Sequence, residues 1–285
     1  MKKKMGIGVN GWVWTSPFQS NSLHLLAKAA AMGFDVFTVP VEAPELINPT
    51  ELKAAAADAG IRLHVTGAFG PARDLTHDDV SFRKEALHYI QSTLDLCEKL
   101  GVQLMVGPMY SSVGKRRKIP DSQRQVEWER AVIGLREAAR MARDHGVILG
   151  IEPLNRFETD LVNTAEQAKR LVRDIGDPAA RIHLDTFHMN IEEKNIYEAV
   201  KLAGDDLVYI DASESDRGTP GTGNVDWRAL AKALQEIGYG GDCVIESFTP
   251  DCESIAAAAA IWRPLAPTQD LLAQDGLHFL RKILC

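Results

Sequence analysis

The feature that most constrains this chain is an alternation. Short apolar, β-rich runs are each followed by a longer segment of helical patterning, eight times in succession. "GIGVNGW" at 6–12 leads into 23–34, the run at 35–41 into 51–60, and the run at 62–69 into a helix over 81–100. The runs at 103–110, 147–155, 181–189 and 207–215 lead into 121–145, 163–176, 195–204 and 226–238. The eighth run, 243–248, precedes two helical segments near 252–262 and 268–283. The runs are apolar on both faces, as parallel strands covered by helices on one side and a core on the other must be. The helix ends carry local signals. Gly60, Gly101, Gly146, Gly176 and Gly238 follow helical runs, where a left-handed terminus favours glycine. "NTAEQA" from Asn163 places a capping Asn or Thr ahead of a Glu.

Eight such units predict a single α/β domain over 1–285, a closed (β/α)8 TIM barrel with extra C-terminal helices. A doubly wound open sheet is the alternative, but no run ends in the GxGxxG turn that such folds use for dinucleotides. The "GTPGTG" at 218–223 lacks the GK[ST] of a phosphate loop. A chain of 285 residues buries enough core to fold without disulfides or a structural metal. Cys97, Cys243, Cys252 and Cys285 match no zinc spacing and are expected as reduced thiols. A net charge of −7 opposes nucleic-acid and membrane-surface binding. The basic start "MKKKMGIGVNGW" is followed by no apolar signal region, and the longest apolar run, 255–262, is too short to span a bilayer. A cytoplasmic protein is expected.

In such barrels the chemistry gathers where the strands end. The fifth run ends at Glu152 in "GIEPLNRFET", and the sixth at Asp185 in "HLDTFHMN". The seventh ends at Asp211 in "VYIDASES", and the eighth at Glu246 in "VIESF". Single acids at strand ends are usually caps or solvated charges. Four on consecutive strands would converge, and four carboxylates cannot share a dry space without positive charge. A divalent cation with oxygen ligands meets that need.

The motifs "IEPLNRFET", "HLDTFHMNIEE", "SESDRGTPGTGNVDW" and "VIESF" resemble those of the ketose 3-epimerases, the D-tagatose/D-allulose (psicose) family of xylose-isomerase-like barrels. "GVNGWVWT" and "GFDVF" are also similar, so the resemblance extends over most of the chain. It implies a divalent metal, Mn2+ first with Mg2+ or Co2+ as alternatives, held by Glu152, Asp185, Asp211 and Glu246. It also implies that Glu152 and Glu246 act as the acid/base pair and that Glu158, His188 and Arg217 bind substrate. The partner implied is a small ketose, and the assembly a homodimer or homotetramer. Two positions depart from the family pattern. Asp211 stands where the family has His, and Thr38 where it commonly has Glu, with Glu42 close by in sequence. The first departure predicts an all-oxygen metal site, harder in preference, with extra negative charge raising the pKa values of the two glutamates.

The expected reaction removes the proton at C3 of a free ketose and returns one on the other face, through an enediolate. Trp14 and Phe248, with Phe69, are candidate apolar walls, and Thr66 and Gly67 at the end of the third run are candidate contacts to the sugar tail. "GKRRK" at 114–118 reads as a solvated basic face, with phosphate binding as the sharper alternative. Three rival functions stay open. They are a related sugar or sugar-phosphate isomerase or dehydratase on the same barrel, a sugar-binding homologue with a weakened metal site, and an abasic-site endonuclease, which the net charge and the paucity of histidine oppose.

Overall fold

The structure is a computed structural model that describes residues 5–285; the four N-terminal residues, the basic start of the chain, lie outside them. Eight parallel strands close into a barrel in sequence order. They are β1 (Ile7–Asn10), β2 (Val36–Val41), β3 (Arg62–Gly67), β4 (Leu104–Gly107), β5 (Ile148–Ile151), β6 (Ala180–Asp185), β7 (Leu207–Ala212) and β8 (Asp242–Ile245). The ring closes where Gly8 of β1 pairs with Val244 of β8.

The outer helices are α1 (His24–Met32), α2 (Pro49–Ala59), α3 (Val80–Leu100), α4 (Asp121–Asp144), α5 (Ala165–Ile175), α7 (Ile196–Ala203) and α8 (Trp227–Ile237). The chain ends in α9 (Glu253–Ala258) and α10 (Gln269–Leu284). The expected cap on α5 is present, but the reciprocal box is Thr164 with Gln167 rather than with the neighbouring Glu166. One helix falls where a continuous strand was expected. The run at 181–189 turns helical at Thr186, giving α6 (Thr186–Glu192), because the Asp185 side chain accepts the backbone N–H of Phe187 and caps it. His188 therefore sits on a helix directly above the end of β6.

The core between barrel and helices is apolar and continuous. Inside the barrel the filling is sparser: Leu104, Val106, Tyr209 and Val244 pack together, and Thr38 hydrogen-bonds the Tyr209 hydroxyl at 2.7 Å. Small residues make room for large ones there. A Cβ on Gly150 would stand 2.9 Å from Val106 Cγ1 and 3.3 Å from His183 Cβ, so β5 yields its place to the neighbouring side chains. The floor is tied by Asp242, which accepts two bonds from Arg62 at 2.6 and 2.8 Å, the backbone N–H of Gly6 at 3.0 Å, and His64 at 2.8 Å. The four cysteines are free. No helix among the described residues is long and apolar enough to cross a membrane.

Candidate active site and metal centre

The four acids expected to converge do so. Asp185 closes β6 and pairs in register with Asp211 of β7, while Glu152 and Glu246 come one residue after the ends of β5 and β8. All four are buried, none more than 6% exposed. The cation among them is Arg217. Its Nη1 donates to Asp185 Oδ2 at 2.5 Å, to Ser213 Oγ at 2.8 Å and to Glu246 Oε2 at 2.9 Å. Its guanidinium lies over Phe187 at 4.0 Å and Phe248 at 5.1 Å. Arg217 is thus no solvated loop residue. Its backbone has φ 65°, a left-handed conformation that costs a side-chain-bearing residue on the order of 1 kcal/mol. That conformation is pinned by Arg217 N–H to Glu214 C=O at 2.9 Å and by Ser247 Oγ–H to Arg217 C=O at 2.7 Å.

The charged stretch around Arg217 is built to hold it. Glu214 is fully buried and accepts from the backbone N–H groups of Ser215, Gly221 and Val225 and from Trp227 Nε1. Burial alone would raise its pKa, but these donors bring it below the ordinary value. The Gly-rich loop wraps this carboxylate, and a Cβ on Gly223 would meet Glu214 Oε1 at 2.6 Å. Asp216, by contrast, is exposed and caps the N–H of Gly218.

Burial and mutual repulsion dominate the electrostatics. Burial, then the charges of Glu246, Asp185 and Asp211, holds the Glu152 carboxyl well above the usual range. Glu246 is raised by burial and by Asp211, with Arg217 offsetting part of it. Asp211 is raised by burial and by Asp185. Burial pulls Arg217 down, but the charges of Asp185 and Glu246 outweigh it and its pKa rises. Burial pushes both His183 and His188 down to about 3, so both imidazoles are neutral.

Asp211 does not turn toward Arg217. It faces His183, a residue the sequence reading passed over, whose Nε2 lies 2.9 Å from Asp211 Oδ2 and whose Nδ1 lies 3.6 Å from Glu152 Oε2. The expected all-oxygen surroundings of Asp211 are therefore corrected to a mixed nitrogen and oxygen set. The signal was available: His183 and Asp185 are two apart on β6, and the period of a strand puts both on the inner face. His188 holds a different position. Its Nδ1 accepts the backbone N–H of Asn155 at 3.0 Å and its Nε2 lies 3.2 Å from Arg217 Nη2. Asn155 also donates to Glu158 Oε1 at 2.8 Å, which links Glu158 to the same cluster. Asn10, likewise unforeseen, donates to Glu246 Oε1 at 3.2 Å.

The apolar wall differs from expectation in one member. Phe248 packs against Trp12, ring centroids 5.5 Å apart. Trp14 instead donates its Nε1–H to Asp270 of α10 at 2.7 Å and carries Lys28 over its ring at 5.3 Å. Thr66 and Gly67 close β3, buried, and Phe69 lies beside Gly67. Glu42 is engaged with Trp12 Nε1 and Ser16 Oγ, both at 2.8 Å. The basic cluster at 114–118 is solvated as expected, with Gly114, Arg116, Arg117 and Lys118 exposed, and two of its side chains are also tied to neighbouring segments. Lys115 reaches Asp74 at 2.8 Å, and Arg117 reaches Glu127 at 2.7 Å and Asp160 at 3.1 Å.

The donors fit a divalent cation. Glu152, Asp185 and His188 form one group of potential ligands and Glu152, His183 and Asp211 another, the atoms of each within 4.8 Å of one another. Both ring nitrogens of His183 and both carboxylate oxygens of Asp211 are buried without an aligned hydrogen-bond partner. The family model for the xylose isomerase-like TIM barrel matches residues 26–283. The chain is 32% identical to the D-psicose 3-epimerase of Enterocloster bolteae, over 98% of this chain and 96% of that protein. The chain belongs to the ketose 3-epimerases. Another member of the family, the ketose 3-epimerase of Arthrobacter globiformis, is 31% identical over 97% of this chain and 96% of its own. A solved ketose 3-epimerase structure, the D-allulose 3-epimerase of Methylomonas sp. in complex with D-allulose, superposes with a TM-score of 0.93 at 29% identity, covering 99% and 98% of the two chains.

Proposed function

We infer that this protein epimerises a free ketose at C3, of the D-tagatose, D-allulose or D-fructose type, using a divalent cation with Mn2+ the expected ion. The observation that carries the reading is the pair Glu152 and Glu246. They are buried carboxyls just past the ends of the fifth and eighth strands, raised in pKa by burial and, for Glu152, by the charge of Glu246, with Arg217 paired to Glu246. A raised carboxyl is a competent base once deprotonated and a competent acid once protonated, which is what a two-base epimerisation asks of each in turn.

One glutamate takes the proton from C3 while the other, on the opposite face, returns one; the starting epimer decides which does which. A divalent cation held by Glu152, Asp185, Asp211 and Glu246 would supply Lewis-acid stabilisation of the charge developing on the oxygens flanking the reacting centre. Arg217 offers N–H donors to a substrate oxygen without reorganising, since Asp185, Ser213 and its backbone hold it in place. His188, held by Asn155 at Nδ1 and facing Arg217 at Nε2, is read as a contact to a sugar hydroxyl. Glu158, steadied by Asn155, is placed to accept from another. Phe248 and Trp12, in ring contact, are read as the apolar wall, and Thr66 and Gly67, buried at the end of β3, as contacts for the sugar tail.

The test is incubation with free and phosphorylated ketoses in D2O with added Mn2+. Deuterium should appear at C3 of a free ketose together with its C3 epimer. Absence of exchange with every ketose would refute the assignment, and so would retained exchange in both Glu152→Gln and Glu246→Gln.

A further inference from the structure

His183 is fully buried, and neither of its ring nitrogens has an aligned hydrogen-bond partner. An unpaired buried polar group costs about 1–3 kcal/mol, so a fold that keeps one calls for an explanation. The surroundings show that the position is built. A register shift between Ile182 and His183 sets the imidazole edge-on to Tyr209, ring centroids 4.9 Å apart. Gly150 leaves the space beside it. The two groups its nitrogens approach, Glu152 at 3.6 Å and Asp211 at 2.9 Å, are buried acids. Among the described residues no Lys or Arg is within ion-pairing distance of either acid, because Arg217 pairs with Asp185 and Glu246 instead. This corner thus has two carboxyls, an imidazole and no Lys or Arg partner of its own.

His188, the histidine of the other ligand group, is the competing nitrogen. Its Nδ1 accepts the Asn155 backbone N–H and its Nε2 faces the donor-only Arg217 Nη2 at 3.2 Å, so both ring nitrogens are already engaged. Neither ring nitrogen of His183 carries such a commitment.

We propose that His183 supplies the nitrogen ligand of the divalent-cation site, working with Glu152 and Asp211 at this corner of the barrel mouth. The assignment rests on the reading that the cluster binds such a cation. It makes the donor set oxygen-rich with one imidazole, suited to Mn2+ or Co2+ as well as Mg2+. The imidazole that position 211 lacks is delivered from the adjacent strand.

The test uses the full chain loaded with Mn2+ and read by pulsed EPR for direct 14N coupling, with Mn2+ affinity measured by chelator competition. Wild type and His188→Asn should both show the coupling. His183→Leu and His183→Asn should lose it and bind Mn2+ at least about tenfold more weakly. Two replacements of different polarity guard against one that fails to fold, and the wild-type spectrum needs no variant. Wild type that binds Mn2+ without 14N coupling overturns the assignment, as does coupling that survives both His183 variants or vanishes in His188→Asn alone. Wild type that binds no Mn2+ refutes both this assignment and the cation reading beneath it.

Discussion

Replacing Arg217 by Met isolates what its charge does, because methionine keeps an unbranched stem against Phe187 and the same left-handed backbone cost applies to both residues. Three charge-assisted hydrogen bonds disappear, two of them to buried carboxylates, Asp185 at 2.5 Å and Glu246 at 2.9 Å, and one to Ser213 Oγ at 2.8 Å. At about 1.5–3 kcal/mol each, or about 3–5 kcal/mol for removing one partner of a buried ion pair, the gross loss is several kcal/mol. Protonation of the abandoned Glu246 offsets part of it, which makes the loss depend on pH. The folded pKa of Glu246 lies above its ordinary 4.5 even with Arg217 present, so the stability conferred by its protonated form is full below about 4.5 and lost as pH rises through the folded value. Without Arg217 that folded value climbs further and the loss continues to higher pH. The gap between variant and wild type should be smaller at pH 5 than at pH 8, where it should reach about 3 kcal/mol or more. The assay is urea unfolding of chelator-treated protein at both pH values, since bound metal would mask the repulsion. A gap that does not change with pH, or one below about 1 kcal/mol at pH 8, would refute the claim that Arg217 neutralises this cluster.

At the barrel floor, Asp242→Asn should cost about 1–3 kcal/mol at pH 7, discounted because Arg62 is part-exposed. The Asp242 pKa is depressed by Arg62 and His64 against the pull of burial, so its stabilisation is present above 3.8 and lost as pH falls through the folded value; acid titration of stability should show the two proteins converging. Gly150→Ala places a methyl 2.9 Å from Val106 Cγ1 and should destabilise by about 1–3 kcal/mol in denaturant unfolding. Mn2+ at about 100 times its Kd should stabilise the fold by about 2.7 kcal/mol, read as a rise in Tm that excess EDTA reverses.

Much of the barrel was legible because its signals are local. Apolar runs, caps and terminal glycines each act over a few residues, and eight repetitions leave few topologies to choose from. The four acids were legible because strand ends in a closed barrel must converge. What escaped were the relations between strands and within tight loops. Asp185 was read as a strand-end acid, yet it also caps α6 and so starts a helix where continued strand was expected. Trp12 and Trp14 differ by two residues, and nothing in their types says that one stacks on Phe248 while the other bonds to α10. The basic cluster at 114–118 is solvated as read, but its ion pairs were not legible, because Asp74, Glu127 and Asp160 lie on three other segments.

Asp211 shows why charge is easier to read from sequence than coordination. An aspartate in a histidine position implies a harder, more negative site if its neighbours stay as they were. The neighbours here include His183, brought beside it by the register shift between β6 and β7. Counted by strand, the proposed site takes from β6 the imidazole that the resemblance implies on β7. Counted by donor atoms around Glu152, it keeps a nitrogen and gains a carboxylate. A single substitution to His at 211 would then crowd two imidazoles into one corner rather than restore the family pattern. Asp211→His alone should therefore weaken Mn2+ binding, and pairing it with His183→Leu should recover part of the loss. Chelator competition on Asp211→His, His183→Leu and the double variant checks this, and losses that simply add in the double variant would show that positions 183 and 211 are not coupled.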